Sequence, residues 1–213
     1  MKTDDLIAAL SADLAPVPRR AVGRTLAIGL AAGVTISGAL MLMWLGLRPD
    51  LMPAMATGMF WMKLAYALSI AALGFVLVDR LARPDDDGGA WRWLIFAPLA
   101  VMIAMGLYRY FSAPETARMA LVMGDSWRVC ARNILLLAAP ALVGAFWSLR
   151  ALAPTRLALA GAAAGTLAGA AGTFVYAFHC TESAAPFVAV WYTLGIGAVS
   201  LLGALLGRLL LRW

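Results

Sequence analysis

Two cysteines, Cys130 and Cys180, are the residues of this chain best suited to chemistry. Arg128 and Arg132 stand beside the first, and His179 precedes the second. Positive charge favours the thiolate, which is the reactive form. Such a pair can be a permanent disulfide, a reversible sensing or redox pair, or two unrelated small residues at helix ends. All three readings stay open, because a bridge needs Cβ atoms about 3.5–4.5 Å apart and sequence does not supply that distance. A zinc site would need Cys130, His179, Cys180 and Glu182 to converge from two loops, and His179 is the only histidine. There is no phosphate loop, Gly-x-Ser-x-Gly elbow or Cys-x-x-Cys motif. No catalytic residue, metal or cofactor is therefore assigned, and the chain is not read as an enzyme.

The elements that must position these thiols are membrane helices. Of 213 residues, 63% are hydrophobic and only 13% charged, against about 25% charged in soluble domains; the mean hydropathy is +0.86. A short soluble chain cannot bury that much apolar surface. About 20 apolar residues cross a hydrocarbon core, and six runs meet or approach that length: 26–47, 59–78, 91–110, 134–149, 157–178 and 187–206, the fourth and shortest expected to begin before Ile134. Unpaired backbone groups are too costly in lipid for anything but helices or a closed barrel, and the alternating pattern of a barrel is absent. The fold class is all-α, a polytopic bundle of six transmembrane helices, with residues 1–24 as a cytoplasmic amphipathic tail and 25–213 as the membrane domain. Asp4, Asp5, Asp13, Pro16 and Pro18 precede the first run, which reads as a retained helix and not as a cleaved signal.

Lysine and arginine are enriched on the cytoplasmic side. With the N-terminus inside, the inner segments hold eleven of the 17 basic residues and the outer segments six. Both termini are thus placed in the cytoplasm of a bacterial inner-membrane protein. A hairpin of the fourth and fifth spans then brings Cys130 and Cys180 to the periplasmic face, where disulfides form. The formal net charge of +6 is read as topology signal and headgroup anchoring, with no direct nucleic-acid partner. Trp91, Trp93, Trp127, Trp191, Tyr192 and Trp213 fit the interfacial belt. Lys63, about one turn inside the second span, is expected to snorkel to the interface, the alternative being a buried role facing another helix. Gly161, Gly165 and Gly169 form a small-residue stripe suited to close helix packing, either within the chain or between two copies in a homodimer.

The tail carries a different signal. Thr3 can cap a helix, Asp4 and Asp5 suit its first turn, and Leu6, Ile7, Leu10 and Leu14 share one stripe before Pro16 and Pro18 end it. A helix this short needs a surface to lie on, which is the membrane, the protein's own loops, or a partner's groove.

Three stretches together carry a resemblance: the opening Met-Lys-Thr-Asp-Asp-Leu-Ile-Ala-Ala-Leu with Pro16; Ser126-Trp127-Arg128-Val129-Cys130 before an apolar helix; and Cys180 followed by Pro186-Phe187-Val188-Ala189-Val190-Trp191-Tyr192, Leu194 and Gly195. In these, and in length and layout, the chain resembles the NrsF family, negative regulators of the extracytoplasmic-function sigma factor sigma F. The resemblance implies a membrane-bound anti-sigma factor that holds its sigma factor at the inner membrane. It implies that Cys130 and Cys180 sense metal or oxidative stress in the periplasm, and that Leu6, Ile7 and Leu10 belong to the partner-binding segment. Its rivals are a small-solute transporter, for which the spans offer few polar groups, and a membrane thiol-redox protein, which would need a further electron route.

Overall fold

A computed structural model describes Thr3, Asp5, Ile7 and residues 21–83, 86–152 and 154–212. Among these residues no strand occurs, and six helices are long and apolar enough to cross a membrane. We label their main segments α1 (Ala21–Leu40), α2 (Gly58–Leu81), α3 (Phe96–Ser112), α4 (Trp127–Arg150), α5 (Leu157–Tyr176) and α6 (Thr193–Leu210). A π-helical turn, Met41–Leu45, extends α1, and another, Val188–Tyr192, leads into α6. The fourth helix begins at Trp127, ahead of the apolar run as expected, so Cys130 lies in its first turn. Arg128, Arg132 and Asn133 break the apolar run there without breaking the helix.

The centre of the bundle is α5, packed against α6, α2 and α4. Its glycines explain why. An added Cβ at Gly161 would collide with the Gly203 carbonyl, at Gly165 it would stand 2.8 Å from Ser200 Cα, and at Gly169 3.1 Å from Ile196 Cα. Each interior glycine costs a helix about 1 kcal/mol relative to alanine; close backbone approach and the van der Waals contact it allows offset that cost in lipid. The Gly161, Gly165 and Gly169 stripe is therefore filled by the chain's own α6, and a homodimer through it would have to displace that helix. A second close crossing joins α1 to α4, where Gly29 meets Gly144 and Gly33 meets Ala141.

Side-chain hydroxyls tie the spans together. Ser37 on α1 donates to the Leu137 carbonyl at 2.6 Å, next to Pro140, where α4 lacks a backbone donor. Ser148 donates to the Thr25 carbonyl, Tyr66 and Thr193 share a 2.7 Å bond between α2 and α6, and Thr166 bonds Ser200. By contrast α3 stands at the edge, with only Met102 and Gly106 of its residues buried.

The connections gather at two ends. One end holds segments 46–57, 113–126 and 177–184, and with them both cysteines. At the other, Asp87 lies 3.7 Å from Arg92 and 3.9 Å from Arg156, drawing the α2–α3 and α4–α5 connections together. The Gly89 amide, backed by these two guanidinium groups, holds the Asp87 carboxyl below its usual range. Arg80 and Arg83 pair with Asp86 and Asp79 at the same end.

Candidate functional site

The first turn of α4 carries Cys130, and the segment leaving α5 carries Cys180. Their side chains are 0% and 2% exposed and belong to one buried cluster with Ile134, Tyr176, Phe187 and Tyr192. Neither cysteine is bridged. The Tyr176 hydroxyl lies against Cys130 and Asn133, and the Tyr192 hydroxyl lies against Cys180. The π-helical turn that ends at Tyr192 inserts an extra residue into the helical ladder, a distortion frequent at functional sites. Among the described residues, the Tyr192 hydroxyl and Asn133 Oδ1 are buried without a hydrogen-bond partner. Each such atom costs about 1–3 kcal/mol, so this corner is not optimised for stability alone.

Two cations hold the Cys180 segment from beneath. Arg48, on the α1–α2 connection, donates from Nη1 to the Cys180 carbonyl at 3.0 Å and from Nη2 to that of Thr181 at 3.3 Å. It also grips Asp50 through Nε and Nη2, both at 2.8 Å. This pairing raises the Arg48 pKa further and holds the Asp50 carboxyl below its usual range. Backbone contacts reinforce the junction: the Arg48 amide donates to the Phe178 carbonyl at 3.0 Å.

Lys63 takes the buried role, the second of the two the sequence left open. It does not snorkel; it is 0% exposed, and Nζ donates to the carbonyls of Cys180 at 3.1 Å and Glu182 at 2.6 Å. A polar destination within the fold, invisible in a linear apolar run, outcompetes the interface. Among the described residues no carboxylate forms an ion pair with it.

Glu182 fastens the segment from above. One oxygen, Oε1, accepts from the backbone amides of Asp125 at 2.7 Å and Ser126 at 3.0 Å, and from the Ser126 hydroxyl at 3.2 Å. These amides lie in the turn that enters α4, Ser126 being its N-cap residue. Gly124, at φ +52, makes the turn, and a Cβ there would overlap the Glu182 carboxylate. The loop of Cys180 is thereby latched to the helix of Cys130.

The zinc arrangement weighed from the sequence does not assemble. His179 turns to the Gly46 carbonyl at 2.9 Å, Glu182 is engaged at α4, and no group of three His, Cys, Asp or Glu side chains is placed for a metal among the described residues. Trp127 and Trp191 stack on one another at 5.4 Å, and Trp191 donates to the Val122 carbonyl, so these two rings also close the site. Of the proposed partner-binding residues, Ile7 is helical and exposed, whereas Leu6 and Leu10 lie outside the described residues.

Sequence reasoning did not assign Arg48, Tyr176, Tyr192 or Asn133 to the site, gave Glu182 another role, and left Lys63 between the interface and a buried place. Two signals were available, an acidic residue two positions after Cys180 and a basic one inside a span.

Fold and site define a six-span helical membrane protein with a buried thiol pair clamped by charged side chains. The chain belongs to the NrsF family, described as negative regulator of sigma F, whose pattern matches residues 10–213. It is 41% identical over 215 residues to the anti-sigma-F factor NrsF of Caulobacter vibrioides, and 41% identical over 219 residues to the probable anti-sigma-F factor NrsF of Azospira oryzae. Each similarity covers 100% of both chains. No solved structure matches.

Proposed function

We propose that this chain is a membrane-anchored anti-sigma factor that holds an extracytoplasmic-function sigma factor at the bacterial inner membrane and releases it when Cys130 and Cys180 react. The observation that carries the function is the full-length similarity to two NrsF proteins; the buried thiol pair supports the release step. Both termini face the cytoplasm, which follows from the arginine distribution, and the cysteine end faces the periplasm. Leu6, Ile7 and Leu10 lay the apolar stripe of the tail in a groove of the sigma factor, by helix-in-groove recognition.

Release is a population shift. Turning a partner from mostly bound to mostly free takes about 5.5 kcal/mol of differential binding. Oxidation of the pair delivers two electrons to the oxidant, expels two protons and forms one S–S bond. A cross-link stabilises by about 2–4 kcal/mol in typical cases, which is the right order when combined with loss of the contacts around Cys180. The α4 and α5 helices run from the thiols to the connection 151–156 at the far end, and so link the two faces.

The test is a fractionation. In cells, the sigma factor sits in the membrane fraction before oxidant and in the soluble fraction afterwards. With Cys130→Ser/Cys180→Ser it stays in the membrane fraction under both conditions. Equal release by parent and double variant would remove the cysteine pair from the account.

A further inference from the structure

We infer that the crevice between α2 and α3 is a phospholipid site, in which one acyl chain lies along the helices and an anionic headgroup rests on Arg92 at the crevice end. A gap of about 530 Å³ separates the two spans. Met62, Ser69 and Leu73 wall it on the α2 side, and Leu94, Val101 and Met105 on the other. Residues 62 to 73 rise about 16 Å along a helix, as do 94 to 105. That length is close to half of the roughly 30 Å hydrocarbon core, the depth filled by the chains of one leaflet.

The lining decides between water and hydrocarbon. A buried water needs two to four polar partners. The polar side chains at the crevice are Tyr66 and Ser69, and both are already engaged. The Tyr66 hydroxyl shares its 2.7 Å bond with Thr193, and Ser69 donates to the Tyr66 carbonyl at 2.9 Å. Water would find no partner there. Leu94, Val101 and Met105 are left exposed by the protein itself. An empty gap forfeits their dispersion contacts, and a flexible chain of methylenes restores them. The chain thereby joins α3 to the bundle.

The crevice end nearer Asp87 selects the headgroup. Arg92 stands two residues before Leu94. Among the described residues its Nε has no hydrogen-bond partner, and Nη1 is 3.7 Å from Asp87, beyond hydrogen-bond length. The same carboxylate also serves Arg156, at 3.9 Å. Two guanidinium groups thus share one carboxylate, which leaves a positive charge beside Trp91 and Trp93, rings suited to the headgroup level. Arginine grips phosphate through paired donors. A phosphate whose charge no amine cancels meets that surplus best, so the lipid is of the phosphatidylglycerol type.

The experiment uses the full chain, purified in detergent until bulk lipid is removed. It is titrated with palmitoyl-oleoyl phosphatidylglycerol or the matching phosphatidylethanolamine, and native mass spectrometry gives the affinity of each bound lipid. We expect the first phosphatidylglycerol to bind about tenfold more tightly than those that follow. Ala97→Trp fills the crevice from α3 and should remove this first lipid. Ala100→Trp adds the same bulk at an exposed position outside the crevice and should keep it. Where Ala97→Trp does not fold, Ala65→Leu narrows the crevice from the α2 side. Arg92→Gln should weaken phosphatidylglycerol about fivefold, the worth of one arginine at an anionic surface, and leave phosphatidylethanolamine unchanged. Lipids that bind the parent and the crevice variants alike overturn the site, as does a first lipid lost equally with Ala100→Trp. Equal affinity for the two lipids overturns the assigned headgroup. A protein dimer that excludes lipid and dissociates with Ala97→Trp would give the crevice to a second copy, and that too overturns the inference.

Discussion

At the level of single residues, Glu182 ties the loop of Cys180 to the helix of Cys130. Its Oε1 takes three hydrogen bonds from Asp125 and Ser126 in the turn that enters α4. Glu182→Ala should lower stability by about 1 kcal/mol, the net worth of a hydrogen bond, whereas Glu182→Gln keeps an acceptor and should recover most of it. Thermal unfolding of the purified proteins distinguishes the two. Acid should act on the Arg48–Asp50 pair. The folded Asp50 carboxyl lies below its usual range, so its contribution is present above about pH 3.9 and is lost as pH falls through the lowered folded value. Asp50→Asn should thus be less stable than the parent at neutral pH and converge with it in strong acid. Neither contact was legible in the sequence. Asp50 read as an ordinary loop carboxylate and Glu182 only as a possible metal ligand, because their partners are backbone amides and an arginine that only the folded chain brings to them.

Among the helices, the glycine pattern was the legible part. Spacing of four along α5 announced a close crossing, and the structure supplies its partner, α6. The sequence left two destinations for that stripe because small residues fit any neighbouring backbone, whether from the same chain or another. A contrast follows. Gly165→Val places its side chain on the α6 backbone and should abolish recovery of monodisperse protein, since overpacking costs about 1–3 kcal/mol even where relaxation is allowed. Gly197→Val, on α6 with open space around the added Cβ, should be tolerated. Size-exclusion profiles of the two variants in detergent check the pair. The start of α4 was less legible: a hydropathy run ends where charges begin, but a helix does not. The π-helical turns were not legible at all, since an inserted residue leaves no mark in an apolar sequence.

For the molecule as a whole, the six apolar runs already stated the architecture, and the helices fall on them. The two ends differ in character. One gathers the thiols with Arg48, Lys63 and Glu182, and the other gathers Asp87, Arg92 and Arg156. Their assignment to membrane faces has a direct check. In a chain lacking Cys130 and Cys180, a cysteine placed at Ser183 should react with an impermeant maleimide added outside spheroplasts, and one placed at Gly89 should react only after lysis.

The central claim is that this chain holds a sigma factor through its N-terminal tail, and co-purification tests it most directly. Tagged protein is solubilised gently from its own membrane, the bound proteins are identified, and the measurement is repeated with Leu6→Asp/Leu10→Asp. The account predicts an extracytoplasmic-function sigma factor with the parent and none with the variant. A folded parent that carries no sigma factor would contradict it, and equal capture by both would move the binding surface away from the tail.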